Sequence, residues 1–583
     1  MFLSLKQLKS QDYSIDWSRS FGGTFDDEAN AICSSFDTSV IIAGFHWSTD
    51  GDVLNWYEQQ DIWLVNVSNE GLINWQRTIG GSLQDVAMSI YPTNDSSFIV
   101  CGYTMSNDGD IETNFGGEDC FIFKINSVGE ILWESIIGGV NSERANSIIQ
   151  TLDGGYIFTG HSNSNDGLFS DHIGATGNTD LIVVRLNSFG EVLWVKSLGN
   201  IYNDYGNDII ITSDSNYLVV GTSEVLPTQE NYFILKISDS GETLWTKTIG
   251  GSSTDIAQTV IKLTPNKYLI AGYTYSDDGD VIGSHGSSDA WTIIIDNEGA
   301  ILSTKCYGGS RVDQWYSSLL KDDNTFYFAG TTDSEDGDVT GYVGDASYPD
   351  YWFISIDSLG VINQQDCFGG SGTDKCYDFT QSISGSFILT GTTFSSDGDV
   401  IGYHDDFGPY FPKDAWTIEV SLSCGTIQYF RDFDGDTFGD ASNYIYSCID
   451  TLGYVLDNTD CDDSNNLISL AELEVCNTID DNCNGLIDED AIFQTYFLDF
   501  DDDGFGTMSQ DTVSCNFIVG YVLNSFDCND FDLLINPLNL EICNSIDDNC
   551  NIEIDEGLPV FTLYIDADGD TYGDAASTTM ACS

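Results

Sequence analysis

Basic residues are scarce in this chain of 583 residues, which carries 18 Lys and Arg against 93 Asp and Glu and a formal net charge of −75. A surface this negative repels nucleic acid and anionic lipid and attracts divalent cations. The sequence therefore disfavours nucleic-acid binding and predicts divalent cations as partners. Because 41% of the residues are hydrophobic and 13% aromatic, we expect folded domains rather than a disordered acidic chain.

Long apolar runs are also missing. No stretch of eighteen apolar residues occurs, so the sequence predicts no transmembrane segment. The opening residues, MFLSLKQLKSQDYSIDW, are too short and too polar for a complete secretory signal. If the protein is exported, we expect its signal to lie outside this chain.

What is present, over residues 1–421, is a repeat built around an anchor that ends in Gly-Gly or a close variant. The seven anchors are WSRSFGG, WQRTIGG, WESIIGG, WVKSLGN, WTKTIGG, TKCYGG and QDCFGG, and the units between them span 51 to 61 residues. Each unit continues with three short β-rich segments, such as DVAMSI, SFIVCGY and DCFIFKI in the second unit. Four short strands per unit, joined by Gly, Asp, Ser and Asn turns, predict an all-β protein with a seven-bladed β-propeller of four-stranded blades over residues 13–421.

The two ends of this repeat complement each other. The seventh unit stops one strand short after DAWTIEV (414–420), while the chain begins with an extra strand, SIDWSRSFGG (14–23). We expect residues 14–23 to complete the seventh blade and so close the ring, which removes exposed sheet edges.

These units, with a GG…D.A start, a G.T.S.DGD loop and a D.[FW] strand, resemble the β-propeller repeats of secreted bacterial surface proteins. The resemblance implies an architecture and no particular activity, because propellers host many functions. The DGD loop recurs five times, first as STDGDV (48–53). One interpretation is a turn in which Ser and Asp cap backbone N–H groups; the other is a weak calcium site at Asp50 and Asp52 and their equivalents.

Cysteine and acid are concentrated after residue 424. Residues 424–583 hold ten of the sixteen cysteines and 34 Asp and Glu with a single Arg. We predict a linker at 422–427 and then repeats of 67 residues, at 428–493, 494–559 and 560–583. Small Cys-rich modules of this kind need disulfides or metals to hold them, which indicates an oxidising, extracellular or cell-surface location.

Each repeat begins with a D-x-D-x-D loop. Alternate acids in a tight loop direct three carboxylates toward one centre, as in the calcium loop of EF-hands. The candidate ligands here are Asp432, Asp434, Asp436 and Asp440, then Asp499, Asp501 and Asp503, then Asp566, Asp568, Asp570 and Asp574. Asp440 is the weaker candidate of the first repeat, because Thr507 stands at its position in the second.

A second oxygen-rich loop lies between cysteines, as CNTIDDNCNGLIDED (476–490) and CNSIDDNCNIEIDEG (543–557). Counted from Asp480, it matches an EF-type loop through its ninth position, but the twelfth is Ala491 instead of Glu. In the second copy Ile552 replaces Gly485. The candidate ligands are Asp480, Asn482, Asn484, Asp488 and Glu489, then Asp547, Asn549, Asn551, Asp555 and Glu556.

These modules resemble the metal-binding repeats of a copper-repressible surface protein of methane-oxidising bacteria and of other secreted bacterial proteins. The resemblance implies extracellular metal binding, with Ca²⁺ as the expected cofactor, and does not imply catalysis. Metal-free folding and zinc binding through the cysteines are the alternatives; zinc is disfavoured because paired C-x₂-C elements are missing.

We expect disulfides within each repeat, and the spacing leaves three pairings open. The candidates are Cys448, Cys461, Cys476, Cys483, Cys515, Cys528, Cys543 and Cys550. Because the third repeat stops soon after its first cysteine, we expect it neither to close its disulfides nor to bury a core.

No catalytic signature is present: the chain has no G-x-S-x-G, H-E-x-x-H or phosphate loop. Its five histidines have no nucleophile motif beside them; they are His46, His161, His172, His285 and His404. The sequence therefore predicts a calcium-binding structural or binding protein, with the propeller as a scaffold for an extracellular protein or glycan and the repeats as a spacer. The alternative is a carbohydrate-active propeller hydrolase with carboxylates as acid and base in the central cleft.

Overall fold

The computed structural model describes residues 13–174, 177–227, 229–321, 325–343, 348–404, 412–422, 428–446, 453–470, 472–489 and 491–582. The chain divides into two compact units, Met1–Ser423 and Cys424–Ser583. Across the described ranges, helix is confined to one 3-10 turn, Gly167–Phe169. No helix in those ranges has the length and hydropathy of a membrane span.

The first unit contains seven four-stranded antiparallel sheets, as the repeat predicts. Its strands are β1 (Tyr13–Phe21), β2 (Asp27–Ser34), β3 (Val40–His46), β4 (Asp61–Val67), β5 (Ile73–Ile79), β6 (Asp85–Pro92), β7 (Phe98–Thr104), β8 (Asp119–Ile125), β9 (Ile131–Ile137), β10 (Glu143–Gln150), β11 (Tyr156–Ser162), β12 (Asp180–Leu186), β13 (Val192–Leu198), β14 (Asp204–Ile211), β15 (Tyr217–Leu226), β16 (Gln229–Ile237), β17 (Thr243–Ile249), β18 (Asp255–Thr264), β19 (Lys267–Thr274), β20 (Asp289–Asp296), β21 (Ile301–Tyr307), β22 (Asp313–Leu320), β23 (Phe326–Thr332), β24 (Asp350–Ile356), β25 (Ile362–Phe368), β26 (Asp374–Gln381), β27 (Phe387–Thr393) and β28 (Asp414–Leu422). Blade 1 is β2 to β5, each later blade takes the next four strands, and blade 7 combines β26, β27 and β28 with β1.

The blades form a closed ring. The first strand of each blade contacts the first strand of the next, and β26 of blade 7 contacts β2 of blade 1. Seven apolar clusters fill the seven spaces between consecutive blades. The β-propeller predicted from the repeat is therefore confirmed, and its core lies between the blades.

The two middle strands of each blade are the most deeply buried. In blade 1, all seven residues of β3 and all seven of β4 are buried, whereas β5 at the outside is mostly half-exposed. A strand covered on both faces is expected to be continuously apolar, which explains runs such as VIIAGF in place of an alternating pattern.

A glycine in the second strand of every blade faces an irregularity in the first strand. In blade 2 the register of β6 on β7 shifts between Ala87 and Ser89, and a β-carbon on the facing Gly102 would overlap the carbonyl oxygen of Val86. The close approach of the two backbones leaves room only for glycine. This explains the glycine in the recurring G-x-T segment.

The predicted ring closure is also confirmed. Strand β1 pairs antiparallel with β28 from Tyr13 opposite Leu422 to Phe21 opposite Ala415. Three of its side chains, Tyr13, Trp17 and Phe21, are buried. Blade 7 therefore combines strands from the two ends of the propeller sequence.

The second unit is built from short strands. They are β29 (Gln428–Arg431), β30 (Asp440–Tyr446), β31 (Tyr454–Val455), β32 (Gln494–Leu498), β33 (Asp511–Ser514), β34 (Tyr521–Val522), β35 (Val560–Ile565) and β36 (Asp574–Cys582). They form sheets in the orders β30-β29-β31, β33-β32-β34 and β35-β36. Few apolar side chains are buried here, for example Phe430 and Tyr496, so these modules depend on cross-links to a degree that the propeller does not.

Among the described residues, four disulfides cross-link this unit, and two of them join successive repeats. Cys461–Cys483 and Cys528–Cys550 close loops within a repeat. Cys476–Cys515 and Cys543–Cys582 connect the end of one repeat to the beginning of the next. The expectation that pairing stays within each repeat was wrong, because the third cysteine of a repeat, Cys476 or Cys543, lies next to the first cysteine of its successor and is bonded to it. Cys448 lies outside the described residues.

The third repeat also differs from expectation. Its first cysteine, Cys582, is bonded to Cys543, and β35 pairs with β36 along the hairpin. The prediction that this repeat closes no disulfide was wrong, because its partner is supplied by the preceding repeat. The hairpin itself buries little, since all six residues of β35 are exposed.

Candidate metal centres

The first acidic loop, containing Asp432, Asp434 and Asp436, joins β29 to β30. The Asp432 carboxylate accepts hydrogen bonds from the backbone N–H groups of Gly435 at 2.7 Å and Thr437 at 3.3 Å. Gly435 and Thr437 have φ of 85° and 81°, left-handed conformations that curl the chain around this carboxylate. The loop is therefore held by its own first aspartate.

Two aspartates from further along the chain, Asp460 and Asp463, complete the cluster. One oxygen each of Asp434, Asp436 and Asp460 lie within 4.8 Å of one another, and so do oxygens of Asp432, Asp434 and Asp463. Asp463 also accepts a hydrogen bond, at 2.7 Å, from the N–H that follows Asp432. The cluster thus joins five carboxylates from two segments of the repeat.

Three oxygens of this cluster are withdrawn from water without a donor. Oδ2 of Asp434, of Asp436 and of Asp460 are buried and have no hydrogen-bond partner among the described residues. Burial raises the pKa of Asp460, and the nearby Asp436, Asp434 and Asp463 raise it further. Buried, unpaired carboxylate oxygens facing one another require a cation or a proton, so these residues fit a hard metal ion that takes oxygen ligands.

The second repeat reproduces the cluster with Asp499, Asp501, Asp503, Asp527 and Asp530. Asp530 bonds the N–H that follows Asp499 at 2.8 Å. Both carboxylate oxygens of Asp501 and Oδ2 of Asp527 are buried without a partner among the described residues. Burial, followed by the charges of Asp503, Asp501 and Asp530, raises the pKa of Asp527 to about 6.

The third copy keeps the loop conformation. Asp566 accepts hydrogen bonds from the N–H groups of Gly569, Asp570 and Thr571 at 2.7, 3.1 and 2.8 Å. These bonds lower the pKa of Asp566, that from Thr571 most. Asp568 and Asp570 are exposed, so this copy is a more open loop than the other two.

The second oxygen-rich loop is organised by Glu489. The side-chain amides of Asn482 and Asn484 both donate to Glu489 Oε1. Asp480 accepts hydrogen bonds from the N–H groups of Asn484 at 3.1 Å and Gly485 at 2.8 Å. Glu489 Oε2 is buried with no partner among the described residues, so one carboxylate oxygen of this loop is free to bind a cation.

The equivalent loop of the second repeat is the same despite Ile552. Asp547 accepts from Asn551 N–H at 3.1 Å and Ile552 N–H at 2.7 Å. The amides of Asn549 and Asn551 donate to Glu556, whose Oε2 is buried and without a partner in the described ranges. Ile552 has φ of 77°, so it adopts the left-handed conformation that Gly485 adopts in the first repeat.

Four predicted ligands accept hydrogen bonds from nearby backbone or hydroxyl groups. Asp440 accepts hydrogen bonds from the backbone and hydroxyl of Ser442, which lower its pKa, and Asp574 bonds the N–H of Ala576 at 2.9 Å. Asp488 accepts from the N–H groups of residues 477 and 478, and Asp555 does so from residues 544 and 545. These bonds occupy a carboxylate oxygen of each of the four residues.

The residues that sequence reasoning missed are Asp460, Asp463, Asp527 and Asp530. Their signal was the TDCDD segment (459–463), which recurs as FDCND (526–530) at the same 67-residue spacing. It contains the cysteine of the in-repeat disulfide, which links the segment to the second oxygen-rich loop, while Asp463 and Asp530 hydrogen-bond to the D-x-D-x-D loop.

The DGD loops of the propeller cap backbone groups through their first aspartate. Asp50 accepts hydrogen bonds from the N–H of Thr24 at 2.9 Å and its hydroxyl at 3.1 Å. Asp108 and Asp278 accept equivalent N–H bonds from Ser82 and Ser252, both at 2.7 Å. The hydrogen bonds are those of the turn interpretation.

Two aspartates on inner strands join neighbouring blades. Asp208 in blade 4 accepts from Ser147 Oγ in blade 3 and Val260 N–H in blade 5, each at 2.9 Å. Asp378 in blade 7 accepts from Ser317 Oγ in blade 6 at 2.7 Å and from the N–H of residue 32 in blade 1 at 2.9 Å. Each of these carboxylates therefore links its blade to both neighbouring blades by hydrogen bonds.

Together, the structure defines an all-β protein in which a β-propeller is combined with disulfide-linked, acid-rich modules. Residues 460–489 and 527–556 each match the copper-binding MopE family model, described as "Putative metal-binding motif". Both matches begin at the aspartate, Asp460 or Asp527, that completes an acidic cluster. The chain therefore carries this metal-binding motif twice.

Several solved propeller structures are similar to this chain. The WD40 domain of Neurospora crassa Pan2 is 8% identical, covers 71% of this chain and 97% of its own, and gives a TM-score of 0.38. A Dyadobacter fermentans protein of unknown function is 9% identical, with coverages of 70% and 99% and a TM-score of 0.38. BamB from Moraxella catarrhalis is 12% identical, with coverages of 69% and 99% and a TM-score of 0.30. Similarity at this level supports no statement about activity or partners, and no curated protein matches the sequence.

Proposed function

We propose that the protein is an extracellular or cell-surface calcium-binding structural protein. Its propeller serves as a scaffold for a protein or glycan ligand, and its C-terminal repeats serve as a spacer stabilised by metal and disulfides. In this proposal, residues 13–421 form the propeller, 422–427 the linker, and 428–493, 494–559 and 560–583 the successive repeats. No residue is assigned a catalytic role.

The observation that carries the proposal is the convergence of buried carboxylate oxygens that have no hydrogen-bond partner in the described part of the chain. Asp434, Asp436 and Asp460 contribute three in the first repeat, and Asp501 and Asp527 contribute three in the second. A repeated arrangement of this kind is unfavourable unless something positive neutralises it. A bound cation at each cluster provides that charge.

The donor chemistry favours calcium over copper. Every candidate group in the clusters offers oxygen, which suits calcium, whereas copper prefers imidazole nitrogen and sulfur. All five histidines precede residue 424, and the eight described cysteines of the second unit are in disulfides. These disulfides also support the extracellular placement, since they persist in oxidising compartments.

The test compares D501N with D502N in the full-length, disulfide-intact protein. Asp501 has two unpartnered oxygens in the cluster, whereas the adjacent Asp502 is exposed. Hydrogen exchange of residues 496–530 is measured in EDTA and after addition of CaCl₂ or CuCl₂. At about ten times its dissociation constant, calcium should slow exchange through the open state about tenfold in wild type and D502N.

The same protection should be much reduced in D501N. Equal protection of D501N and D502N would contradict the ligand assignment. Protection by copper and not by calcium would contradict the choice of metal.

A further inference from the structure

A set of buried acids lies at every junction between consecutive propeller blades. The first strand of each blade begins with a buried acid, and the third strand begins with a buried aspartate in every blade except blade 4. At the junction of blades 1 and 2 these residues are Asp61 on β4 and Asp85 on β6. The second aspartate of a DGD loop, Asp110, adjoins them.

The three carboxylates surround the backbone of Gly80. A β-carbon on Gly80 would lie 2.5 Å from Asp61 Oδ1 and 2.7 Å from Asp85 Oδ2, so both oxygens point at the same place. The N–H of Gly80 lies 3.3 Å from Asp110 Oδ2, which it donates to. Only glycine at this position leaves the space between the carboxylates open.

Asp61 provides an observation that is independent of the clustering. Its side chain is fully buried, and its Oδ2 accepts the N–H of Tyr57 at 2.8 Å. Its Oδ1 is buried and has no partner among the described residues, although it faces two other acids. A buried carboxylate oxygen in this position requires a cation or a proton.

At three other junctions a histidine lies beside the third-strand aspartate. At the junction of blades 7 and 1, Asp414 lies 3.0 Å from His404. Between blades 3 and 4, Asp180 lies 3.0 Å from His172, and between blades 5 and 6, Asp289 lies 3.5 Å from His285. Between blades 4 and 5 the aspartate is replaced by Asn231. Within the described residues, no Lys, Arg or His forms an ion pair with Asp61, Asp85 or Asp110.

We propose that Asp61, Asp85 and Asp110 form a divalent-cation site, of the kind that binds calcium, between blades 1 and 2. Because the ligands come from two blades, binding joins β4 of blade 1 to β6 and the β7–β8 loop of blade 2. Oxygen from three carboxylates, completed by water, suits a hard cation with six to eight ligands.

The electrostatics agree with this assignment. Burial raises the pKa of Asp61 to about 7, and the charges of Asp85 and Asp110 contribute to the increase. A cation lowers the free energy of the charged form and removes this penalty. The site therefore favours the metal over the empty, fully ionised state.

The same three positions recur between blades 6 and 7. Gly369 donates its N–H to Asp399 Oδ2 at 3.1 Å, and a β-carbon on Gly369 would lie 2.7 Å from Asp374 Oδ2 and overlap Asp350 Oδ1. The same placement of three acids around a glycine therefore occurs at two junctions.

The experiment is hydrogen exchange of the full-length protein in EDTA and in CaCl₂, read at residues 54–62 and 78–86. Calcium at about ten times its dissociation constant should slow exchange of these segments about tenfold in wild type. D61N should abolish this response. Asn231 occupies the equivalent place in blade 4, so an asparagine is compatible with the fold.

The matched gain-of-function variant is N231D. Asn231 adjoins Asp255 and Asp280, as Asp61 adjoins Asp85 and Asp110. Residues 229–234 and 248–256 should not respond to calcium in wild type and should respond in N231D. Calcium-independent exchange of residues 54–62 and 78–86 in wild type would overturn the proposal, as would an undiminished response in D61N. These segments are separate from residues 496–530, so this site and the C-terminal clusters can fail independently.

Discussion

Ile552 occupies a backbone conformation that suits glycine. Its φ is 77°, and its side chain is 93% exposed, so the side chain gains little from burial. A β-branched residue in the left-handed region is strained by about 1–2 kcal/mol. The first repeat avoids this strain with Gly485.

We expect I552G to stabilise the second oxygen-rich loop by about 0.5–1 kcal/mol, after the entropic cost of glycine is subtracted. Hydrogen exchange of residues 543–557 in the full-length protein measures the change. The matched control is I554G in the same loop, where the exposed Ile554 has no positive φ. Faster exchange in I552G, equal to that of I554G, would show that the loop is not strained at this position.

At the scale of elements, strand β1 connects the beginning of the propeller to its end. Its pairing with β28 buries Tyr13, Trp17 and Phe21. Each such side chain contributes about 1.5–3 kcal/mol when fully buried. Loss of the strand also exposes the edge of β28.

Deletion of residues 1–23 should therefore lower the melting temperature of the propeller sharply. Tryptophan fluorescence follows this unit selectively, because all twelve tryptophans precede residue 424. Deletion of residues 1–12, which leaves β1 intact, is the control. If the two truncated proteins melt at the same temperature, β1 does not contribute to the stability of the propeller.

The elements show which features can be read from a linear pattern. The anchor spacing was sufficient for the blades, because six of the seven are formed by strands adjacent in sequence. The D-x-D-x-D loops could be recognised because Asp432, Asp434 and Asp436 are local to one turn. In these cases sequence separation and spatial separation agree.

Features formed by distant segments could not be predicted from a local sequence pattern. Asp460 reaches the first loop from beyond β31, and Cys476 pairs with Cys515 across a separation of 39 residues. The periodic sequence supplies several cysteines at equivalent spacing, and nothing local distinguishes a partner in the same repeat from one in the next. Asp440 is close to Asp436 in sequence, yet its carboxylate accepts a hydrogen bond from Ser442. Closeness in sequence therefore does not by itself identify a ligand.

At the scale of the whole molecule, buried acids begin the inner strand of every blade. They are Asp27, Asp85, Glu143, Asp204, Asp255, Asp313 and Asp374. Burial raises the pKa of each, to about 7 for Asp27 and to about 6 for Asp204, Asp313 and Asp374. These groups bind protons more tightly in the folded than in the unfolded chain, so each contributes stability that is lost as pH rises through its folded pKa.

The effect can be isolated at Asp27 by comparison of wild type with D27N. Buried His46 and His161, whose pKa values burial lowers to about 4, titrate in the opposite sense but are common to both proteins. Between pH 6 and pH 8, wild type should lose about 1.4 kcal/mol of unfolding free energy relative to D27N. Urea unfolding followed by tryptophan fluorescence in EDTA measures this difference. D50N, at an exposed position, is the control and should retain the wild-type pH dependence; a constant difference between wild type and D27N would contradict the prediction.

The disulfides between repeats also determine how the second unit would behave under a pulling force. The shortest covalent path from Cys461 crosses one disulfide to Cys483, returns seven residues to Cys476, crosses another to Cys515 and advances thirteen residues to Cys528. An extended repeat could therefore lengthen to about 80 Å, with the two disulfide spans included, instead of the about 230 Å available to a fully stretched 67-residue chain. Most of each repeat is shielded from tension, so the unit could reach only about a third of its full chain length even if its loops unfolded.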